Sequence, residues 1–276
     1  MAQCNATGCT QEALPTKAKC FAHNYVALRA QGAKPTSFSQ LSSAEQTAVG
    51  KVLFTQLQGT AAPLTEKFHT DNESAWGYAL DSVAKSNVFG TCLALCVWQK
   101  QAVGTTDKST VELVMGVNDS STESNVTDKV KAATVAVSKE LAAYKTSVRR
   151  VIFLNGTSGQ IYAGGAPTAV TLAYDNRLTI HAEMRVLEYM HLHLGGDRGA
   201  GVARLADRHY IGISKLCCAK CEAILAAYNG WAGGWFTVER QGVHGRVDHQ
   251  WHVPRALKRL TDGIAYWKTL KHALQT

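Results

Sequence analysis

The chain reads as an α/β protein behind a mainly helical amino-terminal region, and three observations predict this. From about residue 149 onward, short runs of β-branched and aromatic residues alternate with amphipathic stretches of helical period. Turn signals punctuate that alternation at Asn155-Gly156, Gly195-Gly196 and Asn229-Gly230. Before about residue 108 the pattern is mainly helical. With 276 residues, 46% of them hydrophobic and 18% charged, the chain is long enough for a full core in one large domain or two smaller ones.

Taken in order, "SSAEQTAVGKVLFTQL" opens like a capped helix, with Ser42 or Ser43 as N-cap and Glu45 in the first turn. "ESAWGYALDSVAKS" repeats the helical period. The apolar segment "VFGTCLALCVW" is expected to be helical as well. Its Cys92 and Cys96, four apart on one face, are then small hydrophobes of the core. "STVELVMGV" (109–117) is a short β-rich run, and "VTDKVKAATVAVSKELAAYKTS" a long amphipathic helix. "RRVIFLNG", "GQIYAGG" and "TAVTLAYD" are predicted strands. "HAEMRVLEYMHLHLGG" is a helix stopped by two glycines, "RHYIGISKL" a strand, "CCAKCEAILAAYNG" a second helix and "GGWFTVERQ" a strand. The last segment, "PRALKRLTDGIAYWKTLKHAL", starts on a helix-compatible proline and breaks at Gly263. This organisation suggests a small module at 1–25, a mainly helical region at 26–108 and an α/β domain at 109–276 whose core spans about 149–240.

Charge is spread unevenly. Residues 1–140 hold 12 Lys and Arg against 12 Asp and Glu, so the whole excess of +8 lies in residues 141–276. That half is the one expected to meet an anionic partner. Four of the six tryptophans, Trp231, Trp235, Trp251 and Trp267, lie there among Arg240, Arg246, Arg255, Lys258 and Arg259. Aromatics interleaved with cations suit stacked bases and phosphates, while the plainer reading places the tryptophans in the core. No run of 18 apolar residues and no secretory signal is visible, so no membrane association is expected, and the protein is expected in the cytoplasm or exported by a route that needs no such signal.

The chemistry is concentrated in two short motifs. "HAE" (181–183) and "CCAKC" (217–221) supply one imidazole and two thiolates at the starts of two helices, each following a strand. Three protein ligands leave a tetrahedral Zn²⁺ one open position for water, the layout of a catalytic site. Glu183, two residues after His181, then lies beside the metal without ligating it and acts as general acid/base. Of the three cysteines, only Cys218 and Cys221 have the C-x-x-C spacing that lets two thiolates converge on one ion. The competing reading is a structural zinc site that uses His209 or another histidine, with Glu183 a plain surface residue. His191 and His193 have the wrong helical phase to join His181 and are expected to cover the helix surface.

The segment 150–240 resembles the zinc-dependent deaminase superfamily, whose signature is H-x-E, a gap, then P-C-x-x-C. The resemblance implies His181, Cys218 and Cys221 as zinc ligands and Glu183 as the proton carrier. It also implies a cytidine-deaminase-like mixed sheet with the two metal-bearing helices side by side on one face. Cys217 stands where that superfamily has proline. The activity implied is hydrolytic deamination of cytosine or adenine, in a single-stranded or extruded base of a nucleic acid, or alternatively in a free nucleoside or nucleotide. For the latter, Asn155 or Asn176 would hold the ribose; for the former, Trp231, Trp235 and Trp251 are the candidates for stacking. "GISKLCCAKC" resembles the deaminases of bacterial polymorphic toxins and their eukaryotic relatives, which implies a toxin with an inhibitor or immunity protein as partner, acting in a target cell's cytoplasm. A zinc-stabilised binding module without catalysis is the remaining alternative.

A second, separate metal signal lies at the amino terminus. "CNATGCTQEALPTKAKCFAHN" is C-x4-C-x10-C-x2-H and resembles the small zinc modules of the form C-x4-C…G-x-C-x2-H, with Ala18 in place of the usual glycine. Four ligands with no vacancy imply a closed structural site from Cys4, Cys9, Cys20 and His23.

Overall fold

Among the described residues, seven strands form one mixed sheet in the order β5-β4-β3-β2-β1-β6-β7. They are β1 (Leu93–Trp98), β2 (Thr110–Val117), β3 (Ser147–Leu154), β4 (Gly159–Tyr162), β5 (Pro167–Val170), β6 (Arg208–Ile213) and β7 (Thr237–Arg240). The structure, a computed structural model, describes residues 3–6, 9, 19–30, 40–45, 48–49, 52, 72–86, 89–98, 110–118, 124–143, 146–156, 159–162, 167–170, 179–195, 208–215, 217–231, 236–240, 251–264 and 267. Strand β1 runs antiparallel to both neighbours, while the pairs β2–β3 and β6–β7 are parallel. The carboxy-terminal ends of β2, β3, β6 and β7 therefore lie along one edge of the sheet.

The segment expected as a helix at Cys92–Trp98 is a strand. Six consecutive apolar residues suit a strand buried on both faces as well as a buried helix turn, and periodicity alone does not separate them. All six residues of β1 are buried. Even spacing puts Cys92, Cys96 and Trp98 on one face and Leu93, Leu95 and Val97 on the other, so both thiols still lie in the core, as expected. The sheet thus takes a central strand from the region read as mainly helical.

Helices cover both faces. On one side α2 (Asn72–Lys85) and α3 (Val126–Ala142) pack Leu80, Val83, Val130, Val137 and Leu141 against Leu93, Leu113, Met115 and Phe153. On the other, α4 (Ala182–Gly195), α5 (Ala219–Gly230) and the 3₁₀ helix Arg255–Gly263 enclose Cys96, Val114, Ile152, Met184, Leu187, Ile224 and Leu257. The expected pair of metal-bearing helices shares this face. A third, smaller cluster joins α1 (Phe21–Ala30) to Leu41, Val49 and Val52. Ser42 and Glu45 make a reciprocal capping box there, with Glu45 Oε2 accepting from Ser42 N at 2.9 Å and Ser42 Oγ from Glu45 N at 3.3 Å. Among the described residues no helix is long and apolar enough to cross a membrane.

Two contacts lock the layers close to the sheet edge that matters. Asp81 of α2 accepts from Ile213 N at 2.9 Å and from the Tyr210 hydroxyl, which ties α2 to β6. On the opposite face, a Cβ on Gly116 of β2 would stand 2.5 Å from Ala182 O and 3.0 Å from Val186 Cγ2. Only glycine lets the first turn of α4 approach the strand this closely. The variant Gly116→Ala is therefore expected to lose about 1–3 kcal/mol in denaturant melts through overpacking and to shift the turn that carries Glu183. A wild-type midpoint would show that the turn has room to move.

Candidate active site

His181 caps α4: its carbonyl accepts from Met184 N at 3.0 Å and Arg185 N at 3.1 Å, so its imidazole projects from the start of the helix. Cys218 caps α5 in extended conformation, its sulfur accepting from Cys221 N at 3.5 Å. The start of α4 lies against the end of β2 through Asn118, and α5 follows the end of β6, so both helix amino termini lie at the same sheet edge. The three donor atoms, His181 Nδ1 and the two sulfurs, lie within 4.8 Å of one another. The sulfurs are 3.4 Å apart, and His181 Nδ1 is 3.5 Å from Cys221 Sγ. The set of one nitrogen and two thiols can hold a metal ion, and it suits zinc with one position left for water. Neither Cys217 nor His209 belongs to this cluster. Cys217 is fully buried, and His209 packs edge-on against Phe236 at 5.1 Å.

Glu183 lies in the first turn of α4, with Oε1 4.0 Å from His181 Nδ1. It is only 2% exposed, and its Oε2 is a buried oxygen without a hydrogen-bond partner among the described residues. Such an atom is costly to bury unless something absent from the protein itself engages it. Burial pushes the Glu183 carboxyl above its usual range, and the nearby His181 offsets only part of that rise. The thiols divide their roles. Burial raises Cys218, but hydrogen bonds from Cys221 and His181 outweigh it and carry that thiol well below its ordinary value. Cys221 is pushed well above its own by burial and by the Cys218 sulfur beside it. Helix amino termini favour negative charge, and a metal draws a coordinated thiol into its deprotonated form. Cys217 and Cys92 are raised by burial and then by Glu183, Cys92 to about 12, which keeps both neutral.

Several supporting residues were not singled out from the sequence. Asn118, directly after β2, accepts from Ala182 N at 2.7 Å and so caps the helix that bears Glu183 from 64 residues away. Arg185, fully buried, donates from Nε to Val117 O at 3.0 Å and from a terminal nitrogen to Asn118 O at 3.1 Å. Together they fasten the start of α4 to the end of β2. The one available signal for Arg185 was its position four residues after His181, on the inward phase of an apolar helix.

The candidate substrate residues are placed differently. Trp251 is 4% exposed, its indole directed at Cys221 and its rings packed edge-on with Trp267 at 6.0 Å, so it belongs to the core. Trp231 is half-buried, 5.2 Å from His191 and with Arg259 5.7 Å over its ring. Asn155 is buried at the end of β3, on the same edge as Asn118 by the pairing of Gly116 with Leu154. Trp235, Asn176 and Arg246 lie outside the described residues. His191 meets Tyr228 Oη at 3.3 Å, and His193 stacks on Tyr189 at 4.2 Å, which accounts for both as packing along α4.

At the amino terminus, Cys4, Cys9, Cys20 and His23 also bring four donor atoms within 4.8 Å. His23 Nδ1 is 3.1 Å from Cys20 Sγ and 3.7 Å from Cys4 Sγ, and the Cys9 and Cys20 sulfurs are 3.8 Å apart. Burial and the charge of Lys19 keep the His23 imidazole neutral, the form that ligates.

Residues 180–255 match the family model of the OTT_1508_deam-like deaminases. No curated protein and no solved structure matches the chain. The matched span contains His181, Glu183, Cys218 and Cys221 in the arrangement just described. Over that span the chain is similar to this deaminase family.

Proposed function

We propose that the protein is a zinc-dependent hydrolytic deaminase of cytosine or adenine, acting on a base within a nucleic acid. The observation that carries this reading is the buried, unpartnered Glu183 Oε2 beside three converging metal donors. A zinc ion held by His181, Cys218 and Cys221 supplies a Lewis acid that acidifies water. Glu183 does the rest of the proton work. It takes a proton from the attacking water and delivers it to the ring nitrogen as the new C–O bond forms. It then takes the proton of the newly added hydroxyl and passes it to the amine, so that the carbonyl forms as the C–N bond breaks and ammonia leaves. Burial favours the protonated carboxyl between these two transfers.

A polymeric substrate is favoured by the surface next to this site. The 3₁₀ helix presents exposed Arg255, Lys258 and Arg259, the last over the half-buried Trp231, directly after the segment that packs on Cys221. Cations beside an aromatic ring suit phosphates and a base removed from its stack. The test is incubation with single-stranded DNA, duplex DNA, RNA and a panel of free nucleosides, with sequencing or chromatography of the products. Edited bases in a polymer, with binding that weakens steeply as salt rises, are expected. Conversion of free nucleosides alone would refute the polymer and turn attention to Asn155.

The four amino-terminal donors are read as a closed structural zinc site, giving about two ions per chain, one catalytic and one structural. Elemental analysis checks this. The exchange of Cys9 and Cys20 to serine is expected to halve the zinc content, and Cys217→Ala to leave it unchanged. An unaltered content in the first variant would remove the terminal site.

A further inference from the structure

Two buried sulfurs that a metal would draw into the thiolate form need hydrogen-bond donors, and the two obtain them differently. Cys218 Sγ receives the Cys221 backbone N–H of its own helix turn. Cys221 Sγ receives a side chain from 30 residues away: the indole Nε1–H of Trp251, at 3.0 Å. Two further side chains pack on that indole. The Lys220 ammonium lies 5.5 Å over its ring and donates to Trp251 O at 3.4 Å, and Trp267 packs against its edge. The next residue, His252, clasps the other ligand-bearing segment, donating its N–H to Thr179 O at 3.2 Å while its Nδ1 meets Thr179 Oγ1 at 2.7 Å. Thr179 stands two residues before His181. Residues 251–252 therefore strap the histidine side of the cluster to the cysteine side.

We propose that Trp251 is a positioning residue for the metal: its indole N–H donates to the Cys221 thiolate, fixing that sulfur and withdrawing part of its donor strength. This rests on the zinc reading of His181, Cys218 and Cys221. A thiolate that shares its lone pair with an N–H gives less charge to the ion, so the ion remains a stronger Lewis acid, while the fixed sulfur favours capture of the ion.

The experiment uses the full chain loaded with zinc, cobalt or ¹¹³Cd. Trp251→Phe keeps an aromatic ring and removes the donor. Its zinc dissociation constant, measured by chelator competition, is expected to rise about 10–100-fold, and the sulfur-to-cobalt charge-transfer band to move to longer wavelength. Trp267→Phe touches the same ring without touching sulfur and is expected to leave the band in place. In the wild-type ¹¹³Cd protein, the Trp251 indole proton is expected to show scalar coupling to cadmium through the hydrogen bond, a readout that needs no variant to fold. An unmoved band with unchanged affinity in Trp251→Phe, an equal shift in Trp267→Phe, or an assigned indole proton without coupling would overturn the inference and leave the zinc site standing. Equal metal content in the wild type and in Cys218→Ser would instead bring down the zinc reading and this inference together.

Discussion

Exchange of Glu183 for glutamine is expected to reduce deamination by about 10²–10⁴-fold, the range a positioned general acid/base supplies, while the zinc content stays that of the wild type. The amide has the size of the carboxyl but carries no transferable proton charge. Because Glu183 is 2% exposed and its Oε2 has no partner among the described residues, the neutral amide also escapes the cost of burying a charge. Stability is therefore expected to hold or rise as activity falls, the trade expected of a group kept for chemistry. Initial rates, elemental analysis and denaturant midpoints on the same preparation measure all three. Undiminished turnover would show that the proton passes through another group.

The second large effect concerns stability. Glu222, in the first turn of α5 and directly after Cys221, is 2% exposed and paired with Arg240 of β7 through Nε at 2.7 Å and through a terminal guanidinium nitrogen. The two-pronged contact satisfies both carboxylate oxygens. Arg240→Met leaves that carboxylate buried without its cation, and a loss of about 3–5 kcal/mol is expected. The double variant Glu222→Leu with Arg240→Met removes both charges and is expected to recover most of the loss, since two apolar side chains can replace a buried pair at little cost. Denaturant melts of the single and double variants separate the outcomes. A single variant within about 0.5 kcal/mol of wild type, the size of a surface effect, would mean that solvent, and not Arg240, compensates Glu222.

Much of this molecule was legible without coordinates because the signals are local. Helical period, caps and turn residues are properties of neighbouring positions, so α2, α3, α4 and α5 and the strands β2, β3, β6 and β7 appear where the sequence predicted them. The trio of candidate metal donors was legible for the same reason. Cys218 and Cys221 are one helical turn apart, and His181 and Glu183 share the start of another, so spacing alone brings each pair to one helix end.

What the tertiary structure alone decided are the relations between distant positions. Strand β1 carries no period that separates it from a buried helix, and only its place between β2 and β6 settles the matter. The cap that Asn118 places on Ala182, the clearance that Gly116 gives that turn, and the place of Trp251 at the flank of Cys221 all depend on contacts spanning 30 residues or more. A tryptophan among basic residues is the same letter whether it stacks on a base or donates to a buried sulfur. Only the packing around it, set by the whole sheet and both of its helical layers, determines which of the two it does.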